Sequence, residues 1–204
     1  MKRIFITTIS LQSKKGLEKV IYEPVGFEFS KEERRTSFPI IPVLAENMER
    51  KEEIEIIAIR IKNADTADNY KEFVKEVSEL GLEEDCIHVL EVPEKQDIRT
   101  QVQLLIHLID LVPNHSTINA CVTFGTKPIS IIITYALNFI TKLLSDVDVD
   151  GIYYGEIVRE NNVVKGYKIY NLIGLLLLGN IIEQIDALEF DNPKESLKRL
   201  LDLN

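Results

Sequence analysis

"STINACVTFGTKPIS", residues 116–130, runs out of an apolar stretch, through Gly-Thr-Lys-Pro, and into a long apolar helix pattern. A strand that turns over a glycine and enters a helix with proline in its first turn is the strand–loop–helix step of an α/β sheet, because the missing proline N–H is no loss there. The turn also gathers two hydroxyls, Thr123 and Thr126, and one cation, Lys127. Two readings are open: a simple tight connection, or the wall of a site for a phosphorylated ligand.

Outward from this step the pattern repeats. "RIFITTI" (3–9) is apolar and β-branched almost without break, as expected of a strand buried on both faces of a parallel sheet. "EIEIIAIRI" (53–61), "CIHVLEVP" (86–93) and "VDGIYYGEIV" (149–158) read as further strands. Amphipathic helices are expected over 65–82, ending at Gly81, over 96–112, closed by Pro113, and over 127–146, entered through Pro128. A sixth, antiparallel strand is expected around Tyr167–Tyr170 after the turn at "ENN", and helices over 171–188 and "PKESLKRLLDL" follow. The fold class is therefore α/β: a Rossmann-like, doubly wound, mostly parallel sheet with an antiparallel edge hairpin and C-terminal helices. Residues 1–188 read as the Rossmann-like domain, and 189–204 as a C-terminal helix that would lead toward an effector. Between the first strand and "FPIIPVLAENMER", a short helix entered at Pro39, lies a long polar connection, about 10–37. Its "KVIYEPVGFEF" is expected to form a small hairpin around Pro24 and Gly26. Loops of that length are often functional.

Composition narrows the possibilities. The 204 residues carry 24 Lys and Arg against 33 Asp and Glu, for a net charge of −9. That balance argues against binding long nucleic acid or an anionic membrane, though not against a local anion pocket made of backbone amides and one or two cations. The longest apolar run, "LIGLLLLG" (172–179), is too short to span a bilayer. No secretory signal pattern opens the chain, and Cys86 and Cys121 sit in apolar, strand-like runs as expected of buried free thiols. A cytoplasmic protein follows from these readings.

In an open α/β sheet, ligands bind outside the carboxyl ends of the strands where the strand order reverses. For an order 3-2-1-4-5 that crevice lies between the loops after strands one and four. Candidate ligand-binding residues are thus Thr7, Thr8, Ser10, Leu11 and Gln12 from the first loop, with Thr123, Phe124, Gly125, Thr126 and Lys127 from the second. Gly125 permits a positive φ or a close backbone approach. The first amides of the following helix point outward with the positive end of its dipole, and one charge-assisted hydrogen bond shielded from water is worth about 1.5–3 kcal/mol. The plain alternative is that Thr126 caps the helix and Lys127 faces solvent. Arg34 and Arg35, in the charge run "KEERR", are weaker candidates for a lid.

Absences exclude several chemistries. There is no G-x-G-x-x-G, no G-x-x-x-x-G-K-[ST], and no nucleophile elbow. His88, His107 and His115 have no companions at metal-ligand spacing. Neither a metal nor any other cofactor is expected.

The run "VTFGTKPIS", followed by "VDGIYYGEI" and "KIYNLIGLLLL", resembles the CRISPR-associated Rossmann-fold (CARF) domain. Thr123, Gly125, Thr126, Lys127 and Pro128 match one motif of that family, T-G-G-T-K-x-M. The Tyr153-Tyr154-Gly155 segment, the opening "RIFITTISL" and Tyr22-Glu23-Pro24-Val25 resemble a second variant. Phe124 departs from both, standing where the motifs have Gly or His. The resemblance implies a homodimeric receptor for a cyclic oligoadenylate, the second messenger of type III CRISPR antiviral defence, with one tetra- or hexanucleotide ring shared by two protomers. It implies that Gln12 or Ser10 reads adenine edges and that Lys127 and nearby amides hold phosphate. Two other classes stay open. One is a metal-independent ring nuclease, with Lys127 or Ser10 acting on the ring and a 2′,3′-cyclic phosphate in the product. The other is a metabolite-binding Rossmann enzyme unrelated to CRISPR.

Overall fold

In the computed structural model, which describes residues 1–13, 17–95, 97–187 and 192–201, alternation along the first strand sets the layering. On β1 (Lys2–Thr8), Ile4 and Ile6 point into one apolar cluster while Phe5 points into another on the opposite face. β3 (Ile54–Ile61) does the same, with Ile57, Ile59 and Ile61 on one side and Ile54, Ile56 and Ala58 on the other. A strand apolar at every position is thus buried twice, and helices must cover both faces.

The remaining strands are β2 (Glu23–Val25), β4 (Ile87–Val92), β5 (Ser116–Cys121), β6 (Val147–Glu160) and β7 (Val163–Asn171), and the sheet order is β2-β7-β6-β5-β1-β3-β4. β4, β3, β1, β5 and β6 are mutually parallel. They are the five strands expected from sequence, in the order 3-2-1-4-5, so the reversal lies between β1 and β5 as reasoned. β7 returns antiparallel to β6. The fold is the expected Rossmann-like α/β class.

Helices α1 (Ile40–Glu46) and α2 (Ala64–Glu79) cover one face; α3 (Ile98–Leu111), α4 (Lys127–Leu143) and α5 (Ile173–Ala187) cover the other, with α6 (Pro193–Leu200) after them. Local chemistry fixes their starts. The Asn63 side chain accepts from Thr66 N at α2, and Asp97 accepts from Thr100 N at α3, each satisfying an orphan amide. Asp97 is thereby held at a pKa of about 2 by the Thr100 amide, then by Lys95 and the Thr100 hydroxyl.

Two expectations are corrected. Residues 19–29 do not close on themselves as a hairpin: β2 pairs parallel with β7, Pro24 opposite Ile169, because the open backbone groups of β7 offer it a ladder. Gly26 still turns the chain, at φ +79°. Cys86 ends a short 3₁₀ turn before β4 rather than lying in the strand; burial pushes its thiol to about 11. The boundary drawn at residues 188–189 lies outside the described residues.

Candidate functional site

The loops after β1 and β5 meet at the reversal point and are tied together: Thr8 Oγ1 donates to Phe124 O at 2.7 Å. Gly125 adopts φ +82°, and a Cβ placed on it would meet Thr8 Cβ at 3.3 Å. A left-handed turn packed on a threonine explains the glycine twice over. Thr123 Oγ1 accepts from Gly155 N at 2.7 Å, binding the second loop to β6. Gly155 itself has no room for a side chain, because a Cβ would lie 2.6 Å from Pro39 Cγ. Parallel pairing of β5 with β6 ends at Cys121–Tyr153, and beyond it β6 runs on against β7 alone. The sheet opens there, leaving the crevice between the strand ends.

The first-loop candidates divide sharply. Thr7, Thr8 and Ser10 are buried, at 2%, 1% and 0% exposure. Thr7 hydrogen-bonds the Cys121 thiol, whose pKa is raised by burial, and Ser10 Oγ accepts from Gln12 N at 3.1 Å. Asn69 of α2, itself fully buried, donates through Nδ2 to Ser10 O at 2.9 Å and to Gln12 O at 2.7 Å. The hydroxyls that marked this loop as a site are spent on shaping it. Leu11 packs against the α3–α4 core cluster. Gln12 alone of the five is exposed.

The same clamping continues along the loop. Buried Glu76 accepts from the Thr36 hydroxyl and from Ser37 N at 3.1 Å, with Lys19 Nζ at 3.5 Å. Glu46 of α1 accepts from Ser30 N and Lys31 N, at 2.9 and 2.7 Å, and from Ser30 Oγ. Burial alone would raise the Glu46 pKa, but these donors hold it below the ordinary value. Arg35 donates to Lys19 O at 2.9 Å. Arg34 borders a separate hollow between the loop and α1 and is not at the crevice.

The second loop is held by fewer side-chain bonds. Thr126 stands at the N-cap position of α4 and its side chain caps nothing; its buried hydroxyl oxygen has no hydrogen-bond partner. Ser130 Oγ instead turns back to Val122 O at 3.2 Å. Lys127 is exposed and forms no ion pair among the described residues. The first turn itself has little to donate, since Pro128 has no N–H and Ile129 N donates to Thr126 O at 3.0 Å, so Lys127 is its main free cationic group.

A cleft of about 370 Å³ is bordered by Gln12, Thr123 and Phe124 and walled by Tyr154, Glu156 and Arg159 of β6; Gly125, Thr126 and Lys127 do not line it. Glu18, Tyr22 and Tyr167 complete its far side. Phe124 meets Phe38 edge-on at 6.0 Å, so one ring face is committed to the core and one side to the cleft. Tyr170 donates to Glu156 at 2.7 Å, which raises the Tyr170 pKa. Tyr154, Glu156 and Arg159 were not named as site residues from sequence. The signal was the Tyr153-Tyr154-Gly155 segment: alternation along β6 buries Tyr153 and turns Tyr154 outward. Among the described residues, no group of three or more His, Cys, Asp or Glu is placed to hold a metal ion, and no helix is long and apolar enough to cross a membrane.

No family model matches the sequence, and no curated protein does. Among solved structures, a mutant of phosphofructokinase-2 from Escherichia coli is similar with a TM-score of 0.35 and 13% identity. The match covers 74% of this chain and 55% of that one, so the chain spans about half the length of the structure it matches. A likeness that distant carries no functional argument.

Proposed function

We propose that the chain is a homodimeric sensor of cyclic oligoadenylate, tetra- or hexa-adenylate, acting in type III CRISPR antiviral defence to regulate an effector. The observation that carries the reading is the second loop: a left-handed Gly125 and an exposed Lys127 with no ion pair among the described residues at the start of α4. Pro128 has no N–H and Ile129 N donates to Thr126 O at 3.0 Å, so what the turn offers a phosphate is the positive end of the helix beside the Lys127 ammonium. The adjacent cleft complements this. Glu18 and Glu156 outnumber the one cation, Arg159, which disfavours a phosphate there and favours the amino edge of a purine. Tyr154 and Phe124 supply faces or edges for a base, a contact worth about 1–3 kcal/mol. Phosphate on one side and base on the other is the division a nucleotide ring requires. The motif resemblance supplies the identity of the ring.

The ring-nuclease alternative rests on Lys127, since Ser10 is fully buried and its hydroxyl accepts from Gln12 N.

Calorimetric titration with cyclic tri-, tetra- and hexa-adenylate, followed by mass spectrometry of the mixture, tests the reading. One intact ring per two chains is the expected result. Linear adenylate with a 2′,3′-cyclic phosphate would replace the sensor by the nuclease. Heat with AMP or a dinucleotide, and none with any ring, overturns both.

A further inference from the structure

The long loop after β1 does not lie flat on α1. A hollow of about 220 Å³ separates them, and its floor is apolar: Tyr22, Pro24 and Phe29 on one side, Pro42 and Ala45 of the helix on the other. Spacing divides the faces of α1. Ile40, Ile41, Val43 and Leu44 are buried in the core, which leaves Pro42 and Ala45, three residues apart and so on one side of the helix, to line the hollow. The walls are fixed by contacts already made. Glu46 accepts from Ser30 N, Ser30 Oγ and Lys31 N. Phe29 meets Phe27 edge-on at 5.2 Å, and Phe27 meets Tyr153 at 5.9 Å. The hollow is preformed: a ligand that enters it has no loop to order, so that cost of association does not arise.

Size and charge select the ligand. The hollow has the volume of about seven waters at about 30 Å³ each, and it is smaller than the roughly 300–1,000 Å³ of a drug-sized site. One ring with a short tail fills it. The mouth is acidic. Glu28, Glu32 and Glu33 border it, are exposed, and form no ion pair among the described residues. Arg34 stands against them, also exposed and without an ion pair among the described residues. Lys31 is drawn away to Glu49 at 3.5 Å, and the Glu46 carboxylate is occupied by the loop amides. Three unpaired carboxylates against one guanidinium leave a negative mouth, on a chain whose net charge is −9. Such a mouth repels an anion and draws a cation in. An apolar body with a positive head matches both floor and mouth, and an aromatic lining adds attraction for the cation.

We propose that the hollow between the long loop and α1 is a second binding site, and that its ligand is a small amphipathic amine: one apolar ring carrying a short, positively charged tail. The ring lies against Phe29, Pro42 and Ala45, and the ammonium faces Glu28, Glu32 and Glu33. The hollow is separate from the β6 cleft, with which it shares Tyr22 as a wall. It stands whether or not the chain senses a nucleotide ring.

Amide NMR of the isotope-labelled full chain, titrated with phenethylammonium, tests it; hydrocinnamate and phenethyl alcohol serve as anionic and neutral probes of like shape. The ammonium should shift the amides of Phe29, Ser30, Ala45 and Glu46 and saturate. The carboxylate should bind about tenfold more weakly or worse, the loss of one charge-assisted contact, with the alcohol between. Ala45→Phe fills the hollow and should abolish the shifts. Glu28→Gln, Glu32→Gln and Glu33→Gln combined should lower the affinity for the ammonium to that for the alcohol. These three side chains are exposed, so the combined variant carries the test should Ala45→Phe unfold. Four results overturn the proposal: no probe binds; the carboxylate or the alcohol binds as well as the ammonium; the shifts centre on Tyr154 and Arg159 of the cleft; or either variant, folded, binds the ammonium as the parent does.

Discussion

The loops after β1 and after β5 reach the same crevice with much the same residue types, and they do opposite things with them. The first turns its hydroxyls inward: Thr7, Thr8 and Ser10 are buried, and α2 fastens the backbone beyond them through Asn69 and Glu76. The second spends one hydroxyl on the scaffold, Thr123 on Gly155, and among the described residues the buried Thr126 oxygen has no hydrogen-bond partner and the exposed Lys127 no ion pair. A long loop must satisfy many backbone groups before it holds a shape. A four-residue turn into a helix has few backbone groups to satisfy, and here Pro128 lacks an N–H while Ile129 N donates to Thr126 O. The lesson is that hydroxyl-rich sequence at a switch point marks either scaffold or site, and loop length separates the two.

The contrast can be broken at its strongest clamp. Glu76→Ala removes the acceptor for the Thr36 hydroxyl and Ser37 N and strands buried donors, a loss of about 2–4 kcal/mol. For a chain of this size the melting temperature should fall by roughly 5–12 °C. A fall within error of zero would mean that the first loop is not held by α2.

Gly125→Ala comes next. An L-residue at φ +82° costs about 1–2 kcal/mol, and the new Cβ presses on Thr8. Both stability and ring affinity should drop, because the turn links scaffold and site. Unchanged affinity in the destabilised variant would detach Gly125 from the ligand.

Lys127→Ala sharpens the comparison in the other direction. Calorimetry should show ring binding weakened by about tenfold or more, the loss of one charge-assisted contact. The melting temperature of the free protein should stay within about 2 °C of the parent. Normal binding by this variant would falsify the phosphate role of Lys127.

The smallest effect concerns pH. The folded-state pKa of Glu46 is depressed, so its contribution is present above the ordinary glutamate pKa and is lost as pH falls through the lower folded value. Glu46→Gln should therefore melt below the parent near neutrality, and the gap should close on acidification. A gap of constant size at every pH would assign the effect to packing rather than charge.

Much of the fold was legible because burial on both faces writes itself as unbroken apolar strands, and the 3-2-1-4-5 order needs only right-handed crossovers between them. The turn and helix start at Gly125–Pro128 were legible too, since a glycine at positive φ and a proline in the first turn are local backbone signals. The first loop read differently from what it does: the Thr8 hydroxyl bonds Phe124 O and the Ser10 hydroxyl accepts from Gln12 N, while distant Asn69 donates to the loop's carbonyls. The cleft residues Tyr154, Glu156 and Arg159 were hidden for a related reason. Nothing in β6 announces that its neighbour β5 stops at Cys121 and leaves them uncovered.

By itself, then, the sequence determined the parallel sheet, the place where its order reverses and the turn at Gly125–Lys127, because these follow from periodicity and local backbone chemistry. Only the tertiary structure decided which hydroxyls are free, where β2 pairs, and that the long loop encloses a hollow against α1. Those outcomes depend on partners distant in the chain, and a one-dimensional pattern does not carry them.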